Sequence, residues 1–319
     1  MYFLIFGNKI HEKKCIKCSS NHVQKHGKNR NGTQRYKCLD CGKTFTNKKR
    51  NRSKHLLSKY LLDKQIYRVL MKQGLKYRDV QKSIDHLDFC YPTLVPRSCV
   101  VAIDTTYFSR NFGITIFRDV TNNVILHWIF VERENTKTHA KGIRYLEQNG
   151  ITIVGFVVDG FWGFYVQNHH SYDIQMCQKH MADIVRKYVT RNPKLQASRD
   201  LKEIIDKLSC ISEKTFNLKF DLWLTNWTEF LKEKTVIEGG NNWFYTHGRV
   251  RSAVTSLVKY KDFLFTFERN HWLPNTNNSI EGFNSGLKSV IRVHRGLRRD
   301  RKVKLIHFYL KEKSVFKWE

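Results

Sequence analysis

An α/β fold with a large helical insertion, preceded by a small metal-held module, is predicted by three features of this 319-residue sequence. Cys15, Cys18, Cys38 and Cys41 fall in two tight Cys-x-x-Cys pairs. From Cys99 onward, β-branched and aromatic runs follow one another in the order β-β-β-α-β. After residue 178 the strands stop, and apolar residues recur at helical spacing to about residue 273. The β-β-β-α-β order is the one that opens a ribonuclease-H-like fold.

The paired cysteines are separated by a polar stretch containing Gly27 and Gly32, which suits a hairpin loop. Four thiolates complete the tetrahedron of a structural zinc ion, so residues 1–48 read as a zinc ribbon holding one Zn2+. Cys90, Cys99 and Cys210 have no partner pattern and read as packed thiols. Residues 49–92 read as a basic linker and a helix-turn-helix-like unit. "KTFTNKKRNRSK" has six basic residues in twelve. Leu57, Tyr60, Leu61, Ile66, Val69 and Leu70 then recur at helical spacing, Gly74 interrupts, and Tyr77, Val80 and Ile84 resume the pattern. "DFCYPTLVPR", with two prolines close together, reads as an interdomain linker.

Residues 97–319 form the predicted α/β domain. "CVVAIDTTYF", "FGITIFRDV" and "VILHWIFV" read as neighbouring strands, and "HAKGIRYLEQ" has a helical period. "ITIVGFVVDG" is apolar at odd and even positions, as a strand buried on both faces must be. Within about 178–273, Leu201, Ile204, Ile205 and Leu208, then Phe216, Phe220, Trp223, Trp227 and Phe230, mark an all-helical insertion.

The chain carries 57 Lys and Arg against 28 Asp and Glu, a formal charge of +29. A field of that sign attracts polyanions, nucleic acid before anionic membrane. The opening "MYFLIF" is too short for a signal-peptide core and no later apolar run approaches a spanning helix, so a cytoplasmic protein with no membrane partner is expected.

Asp104 and Asp159 each follow an apolar strand run. A carboxylate emerging from a buried sheet needs compensation, from a cation or a salt bridge. Two such acids in this strand order favour metal, although either alone could end a strand or cap a helix. A two-metal phosphoryl-transfer site draws carboxylates from separate elements. "PNTNNSIEGFNSGLK" offers Glu281 as a third, at the start of a helical pattern that Asn277, Asn278 and Ser279 can cap; a first-turn acid complementing the helix dipole is the other reading.

Taken together, "AIDTTYF", "VVDGFWGF", "QMCQKHMADIVRKYVTRNPKL", "YTHGRVRSA" and "PNTNNSIEGFNSGLK" resemble the DDE transposases of bacterial insertion sequences, specifically the Mutator-like group in its variant zinc-binding form. The resemblance runs from Cys15 over nearly the whole chain and leaves the first fourteen residues outside. It implies Asp104, Asp159 and Glu281 as the catalytic triad, binding two Mg2+ or Mn2+, and the helical stretch as the family's insertion before the glutamate. Cys177 and His180 look like the group's Cys-x-x-His signature, of open function. Two ligands do not make a zinc site, and His169 or His170 would have to supply the remainder; the favoured reading is that Cys177 packs while His180 hydrogen-bonds near the active site or contacts DNA.

For DNA contact the candidates are Tyr245, His247, Arg249 and Arg251, then Lys288, Arg292, Arg298, Arg299 and Arg301 in "KSVIRVHRGLRRDRKVK". A solvated, salt-bridged face is the plainer reading of the first group. The expected activity is metal-dependent cleavage of element ends and strand transfer into target DNA. Expected partners are double-stranded DNA and further copies of the chain, as a homodimer or higher oligomer on DNA. A structure-selective nuclease without strand transfer, or an inactive zinc-ribbon DNA-binding regulator, are the alternatives.

Overall fold

The computed structural model describes residues 14–30, 32–46, 71, 72, 74, 76–87, 89–237, 242–294 and 296–314. The chain divides into two compact units, Met1–Ser58 and Lys59–Glu319. The basic arm beyond Asn47, the helical pattern from Leu57 to Leu70, and Glu238 lie outside the described residues.

In the first unit, β1 (Val23–Lys28), β2 (Gln34–Cys38) and β3 (Thr44–Thr46) form an antiparallel sheet in that order. Among the described residues its core is Tyr36 and Phe45 with Cys15 and Cys38. A core this small cannot offset the chain entropy of ordering its strands, so the cysteines must contribute through more than packing.

The second unit is built on a mixed five-stranded sheet of β4 (Arg97–Ser109), β5 (Phe112–Asp119), β6 (Val124–Val131), β7 (Ile151–Val158) and β8 (Asp173–Met176). The order across the sheet is β6-β5-β4-β7-β8; β4 pairs antiparallel with β5 and parallel with β7. Between β6 and β7 runs α2 (Thr136–Gln148), capped by Asn135, whose side chain accepts the Thr138 N–H. Gly142 of α2 faces Phe117, where an added Cβ would lie 2.0 Å from the ring. Only glycine lets this helix lie so close to the sheet. The short β8 is a strand that the sequence patterning does not announce.

Around the sheet stand α1 (Tyr77–Asp85), α3 (Trp162–Asn168), α4 (Gln178–Val189), α5 (Gln196–Asp206), α6 (Glu213–Lys232), α7 (Gly248–Tyr260), α8 (Thr266–Arg269), α9 (Asn278–Val293) and α10 (Arg299–Glu312). Leu201, Ile204, Ile205, Leu208, Phe216, Phe220 and Trp223 are buried, as their spacing predicts. The insertion is not all-helical. After α6 the chain forms a hairpin, β9 (Lys234–Val236) against β10 (Trp243–Tyr245). The cause is local: β-branched and aromatic residues fill both strands, and Lys234 lies 3.7 Å from the centre of the Trp243 ring across them.

Two further expectations are corrected. The proline-containing segment, expected as an interdomain linker, lies inside the second unit, where Phe89 stacks on His307 at 3.5 Å and the Tyr91 hydroxyl donates to the Trp128 carbonyl at 3.1 Å. Of the three unpaired cysteines only Cys99 is buried; Cys90 and Cys210 are exposed.

Candidate functional site

Asp104 sits in the middle of β4, not at its end: the apolar run stops at Ile103, but Thr105, Thr106 and Tyr107 carry the strand on to Ser109. Asp159 follows the last residue of β7. Ile103 is paired with Val158 in the parallel register, so the two aspartates leave neighbouring strands side by side, roughly one strand spacing apart, ~4.8 Å. Glu281 lies in the first turn of α9. One turn on, Asn284 is buried and donates to Asp104 Oδ2 at 2.7 Å, which ties α9 to the central strand.

A further carboxylate lies near the two aspartates. Glu134, between β6 and α2, accepts from the Thr105 hydroxyl at 2.9 Å and lies 3.2 Å from Nε2 of the buried His139. Its charge is felt at both aspartates. Burial pushes the Asp104 carboxyl up from its ordinary value, and the charges of Glu134 and Glu281 add to the rise. Burial, then Glu134 and Asp104, push Asp159 up to about 6.

The opposing cations come from α4. Lys179 Nζ lies 2.6 Å from Glu281 Oε2 and His180 Nδ1 lies 3.3 Å from Oε1. Cys177, fully buried at the N-cap of α4, accepts the Asn277 N–H at 3.2 Å and stands 3.9 Å from Glu281 Oε1. His180 is raised to about 9, first by its hydrogen bond to Cys177 and then by the charges of Cys177, Asp159 and Glu281. His169 is not part of this cluster, since its Nδ1 meets the Tyr165 carbonyl at 2.9 Å and its ring rests against His170.

Carboxylate oxygens held on rigid elements, two of them resisting ionisation, suit hard divalent cations, whose charge would relieve that resistance. Asn284 Oδ1, buried beside Asp104, has no hydrogen-bond partner among the described residues and adds an uncommitted oxygen to the set.

Because Asp159 holds its proton more tightly folded than unfolded, its contribution to stability is fully present below its ordinary value of 3.8 and is lost as pH rises through about 6. In metal-free buffer, Asp159→Asn is expected to be the more stable chain near pH 7.5, by up to roughly 3 kcal/mol, with the advantage gone at about pH 4. Urea unfolding of both proteins with EDTA at the two pH values checks this; an equal difference at both would refute it.

The four ribbon thiols meet in crossed pairs: Cys15 Sγ and Cys41 Sγ are 3.6 Å apart, as are Cys18 Sγ and Cys38 Sγ. All four lie within 4.8 Å of one another, and none is in a disulfide. Zinc–sulfur bonds of ~2.3 Å place tetrahedral sulfurs ~3.8 Å apart, close to the observed spacing. The Lys17 N–H also points at Cys15 Sγ at 3.4 Å, and Gly42, at φ +68, closes the second knuckle by donating to the Cys38 carbonyl. This group, with Cys15 and Cys38 buried, can hold one zinc ion.

The basic candidates divide by what they touch. Arg249 donates to the carbonyls of Tyr188 and Lys187 at the end of α4, and Arg251 donates to Leu231 O at the end of α6 while lying 3.5 Å over Tyr245. His247 pairs with Glu233 and stacks on Phe230. Each of these has a role inside the fold, where cations complement helix C-termini. Arg301 grips Asp85 of α1 with two bonds of 2.8 Å, Arg298 pairs with Asp300, and Arg299 reaches Asn111 O. Lys288 and Arg292 instead line an open groove of about 240 Å³ with Lys302, Tyr107, Phe108 and Phe112. Sequence reasoning overlooked Lys302.

Among the described residues, no helix is long and apolar enough to cross a membrane. No family model and no curated protein matches the chain. Among solved structures, the Drosophila P element transposase strand transfer complex is similar over 87% of this chain and 84% of that chain, at 13% identity and a TM-score of 0.35.

Proposed function

We propose that this chain is a DDE-type DNA transposase of the Mutator-like group, which cleaves the ends of an insertion sequence and joins them to target DNA. The observation that carries the proposal is the adjacency of Asp104 and Asp159 on paired strands, with the helix of Glu281 tied to Asp104 through Asn284. The strand order β6-β5-β4-β7-β8, with the first three strands antiparallel and the next two parallel to β4, supports a ribonuclease-H-like arrangement of residues 97–319. Two Mg2+ or Mn2+ ions at these carboxylates would supply an activated attacking oxygen and a stabilised leaving oxygen. Asp104 and Asp159 hold the strand side of the site, Asn284 fixes the rotamer of Asp104, and Glu281 closes the helix side. Glu134 fastens the loop before α2 to β4 through Thr105 and adds negative charge.

The DNA strand is assigned to the groove of Lys288, Arg292 and Lys302, whose cations have no partner among the described residues, and the +29 charge favours such a polyanion. Replacing the three with Gln is expected to lower affinity for all duplexes alike and to flatten the log–log salt dependence by about 2 to 3. Arg301→Gln should cost stability through Asp85 and leave that slope nearly intact. An unchanged slope in the triple variant would place the DNA elsewhere. The zinc ribbon (1–48) and the helix-turn-helix-like unit (49–92) are assigned to end recognition, and the chain to a homodimer or higher oligomer on DNA in the bacterial cytoplasm, associated with the nucleoid.

A strand-transfer assay with pre-cleaved ends and Mg2+ tests the reading. Nicking without joining would favour a structure-selective nuclease, and no metal-dependent chemistry at all would favour a DNA-binding regulator.

A further inference from the structure

Cys177 and His180 stand three residues apart at the start of α4, so both project from the same side of its first turn. No neighbouring residue in sequence completes a ligand set with them. The fold does: α9 brings Glu281 to the same point, and ligand atoms of all three residues lie within 4.8 Å of one another. Bonds of ~2.0–2.1 Å to nitrogen and oxygen and ~2.3 Å to sulfur give a tetrahedral zinc site edges of ~3.3 Å from N to O and ~3.5 Å from S to O. The observed separations are 3.3 Å from His180 Nδ1 to Glu281 Oε1 and 3.9 Å from Cys177 Sγ to that same oxygen. The Asn277 N–H directed at Cys177 Sγ at 3.2 Å is the kind of outer contact that orients a metal thiolate. Lys179 occupies the other carboxylate oxygen, Oε2, and leaves Oε1 to the cluster.

We infer that Cys177, His180 and Glu281 form a second metal site, selective for a borderline-soft divalent cation such as Zn2+ over Mg2+, with one coordination position left open. A sulfur and an imidazole nitrogen are poor ligands for Mg2+, which prefers oxygen, and good ones for Zn2+. The site shares Glu281 with the acidic cluster of Asp104 and Asp159. A zinc ion seated on Cys177 and His180 therefore engages the carboxylate that the hard cations need, and free Zn2+ acts as an inhibitor of Mg2+-dependent cleavage. The inhibition rests on the proposed function; the binding does not.

Metal counting on the full-length chain, dialysed first against micromolar Zn2+ and then against buffer, separates the two. The wild type is expected to hold about two zinc ions, and Cys177→Ser, His180→Asn and Cys38→Ser about one each, since the last loses only the ribbon ion. His180 is partly exposed and its replacement tests the site without disturbing the buried thiol. Cobalt loaded into Cys38→Ser should give a thiolate-to-cobalt charge-transfer band in the near ultraviolet, absent when Cys177→Ser is added. One zinc in the wild type with none in Cys38→Ser, or a cobalt band indifferent to Cys177, would overturn the inference. In nicking assays at fixed Mg2+, added Zn2+ should slow the wild type at least tenfold, and Cys177→Ser less than twofold relative to its own zinc-free rate. A chain that never nicks would count against the transposase reading and leave the metal count to decide.

Discussion

Glu281→Gln is expected to abolish Mg2+- or Mn2+-dependent cleavage and strand transfer, with a loss of at least about a thousandfold, while folding and DNA binding persist. The amide keeps the shape and helix propensity of the glutamate and removes the charge that would bind a cation. Its partners in the fold are Lys179, which is half exposed, and His180, so the loss in stability should stay within about 1 kcal/mol. The other acids before α9 make separable forecasts. Glu268 of α8 is occupied elsewhere: its Oε1 accepts the Glu213 N–H at the start of α6 at 2.9 Å. Glu268→Gln should weaken that cap and retain activity. Glu238 lies outside the described residues, and Glu238→Gln should also retain activity. An active Glu281→Gln enzyme beside an inactive Glu268→Gln or Glu238→Gln would move the third carboxylate into the insertion. Circular dichroism and end binding, measured on the same preparations, separate loss of chemistry from loss of fold.

What could be read in the sequence followed from how local each cause was. The strand carrying Asp104 and the strand preceding Asp159 are announced by apolar runs, and the helix of Glu281 by its periodicity. The register of β4 with β7 sets the two aspartates side by side, and the Asn284 bond ties the helix of Glu281 to Asp104. Glu134 was not legible. "VEREN" offers two acids, and only the hydroxyl of Thr105, on a strand reached through β5, selects Glu134. Lys302 was hidden for a similar reason, since eight basic residues crowd that stretch and only packing shows which are spent on Asp85, Asp300 or Asn111. Arg249 and Arg251 look like phosphate ligands in a linear reading, but their nearest acceptors are carbonyls at the ends of α4 and α6. The β9–β10 hairpin has only three residues per strand, too few for a period-two signal to stand out inside a helical stretch. Cys177 and His180 were visible as a pair, whereas their third partner is about a hundred residues away in sequence.

Removing the ribbon's metal should have the larger structural effect. Apart from its cysteines, the described part of the first unit buries only Tyr36 and Phe45 as large apolar side chains, and fully burying such side chains stabilises by about 1.5–3 kcal/mol each. Ordering even the fourteen residues of β1, β2 and β3 costs on the order of 14–28 kcal/mol of backbone entropy. Zinc binding by four thiolates, on the order of 10–16 kcal/mol near neutral pH, is a term of the size needed to shift that balance. Cys38→Ser, which removes the most buried of the four sulfurs, should therefore lose the ribbon zinc and unfold β1 to β3, while the second unit, with its own sheet and core, stays folded. Hydrogen exchange checks this directly. Amides of β1 to β3 should exchange without protection in the variant and in chelator-treated wild type, while β4 to β8 keep theirs. Acid should act as the chelator does, because protons compete with zinc for the thiolates, so protection of β1 to β3 should be lost before that of β4 to β8 as pH falls. Protected ribbon amides in a zinc-free chain would show that the hairpins fold without the metal, and the four cysteines would then be packing residues.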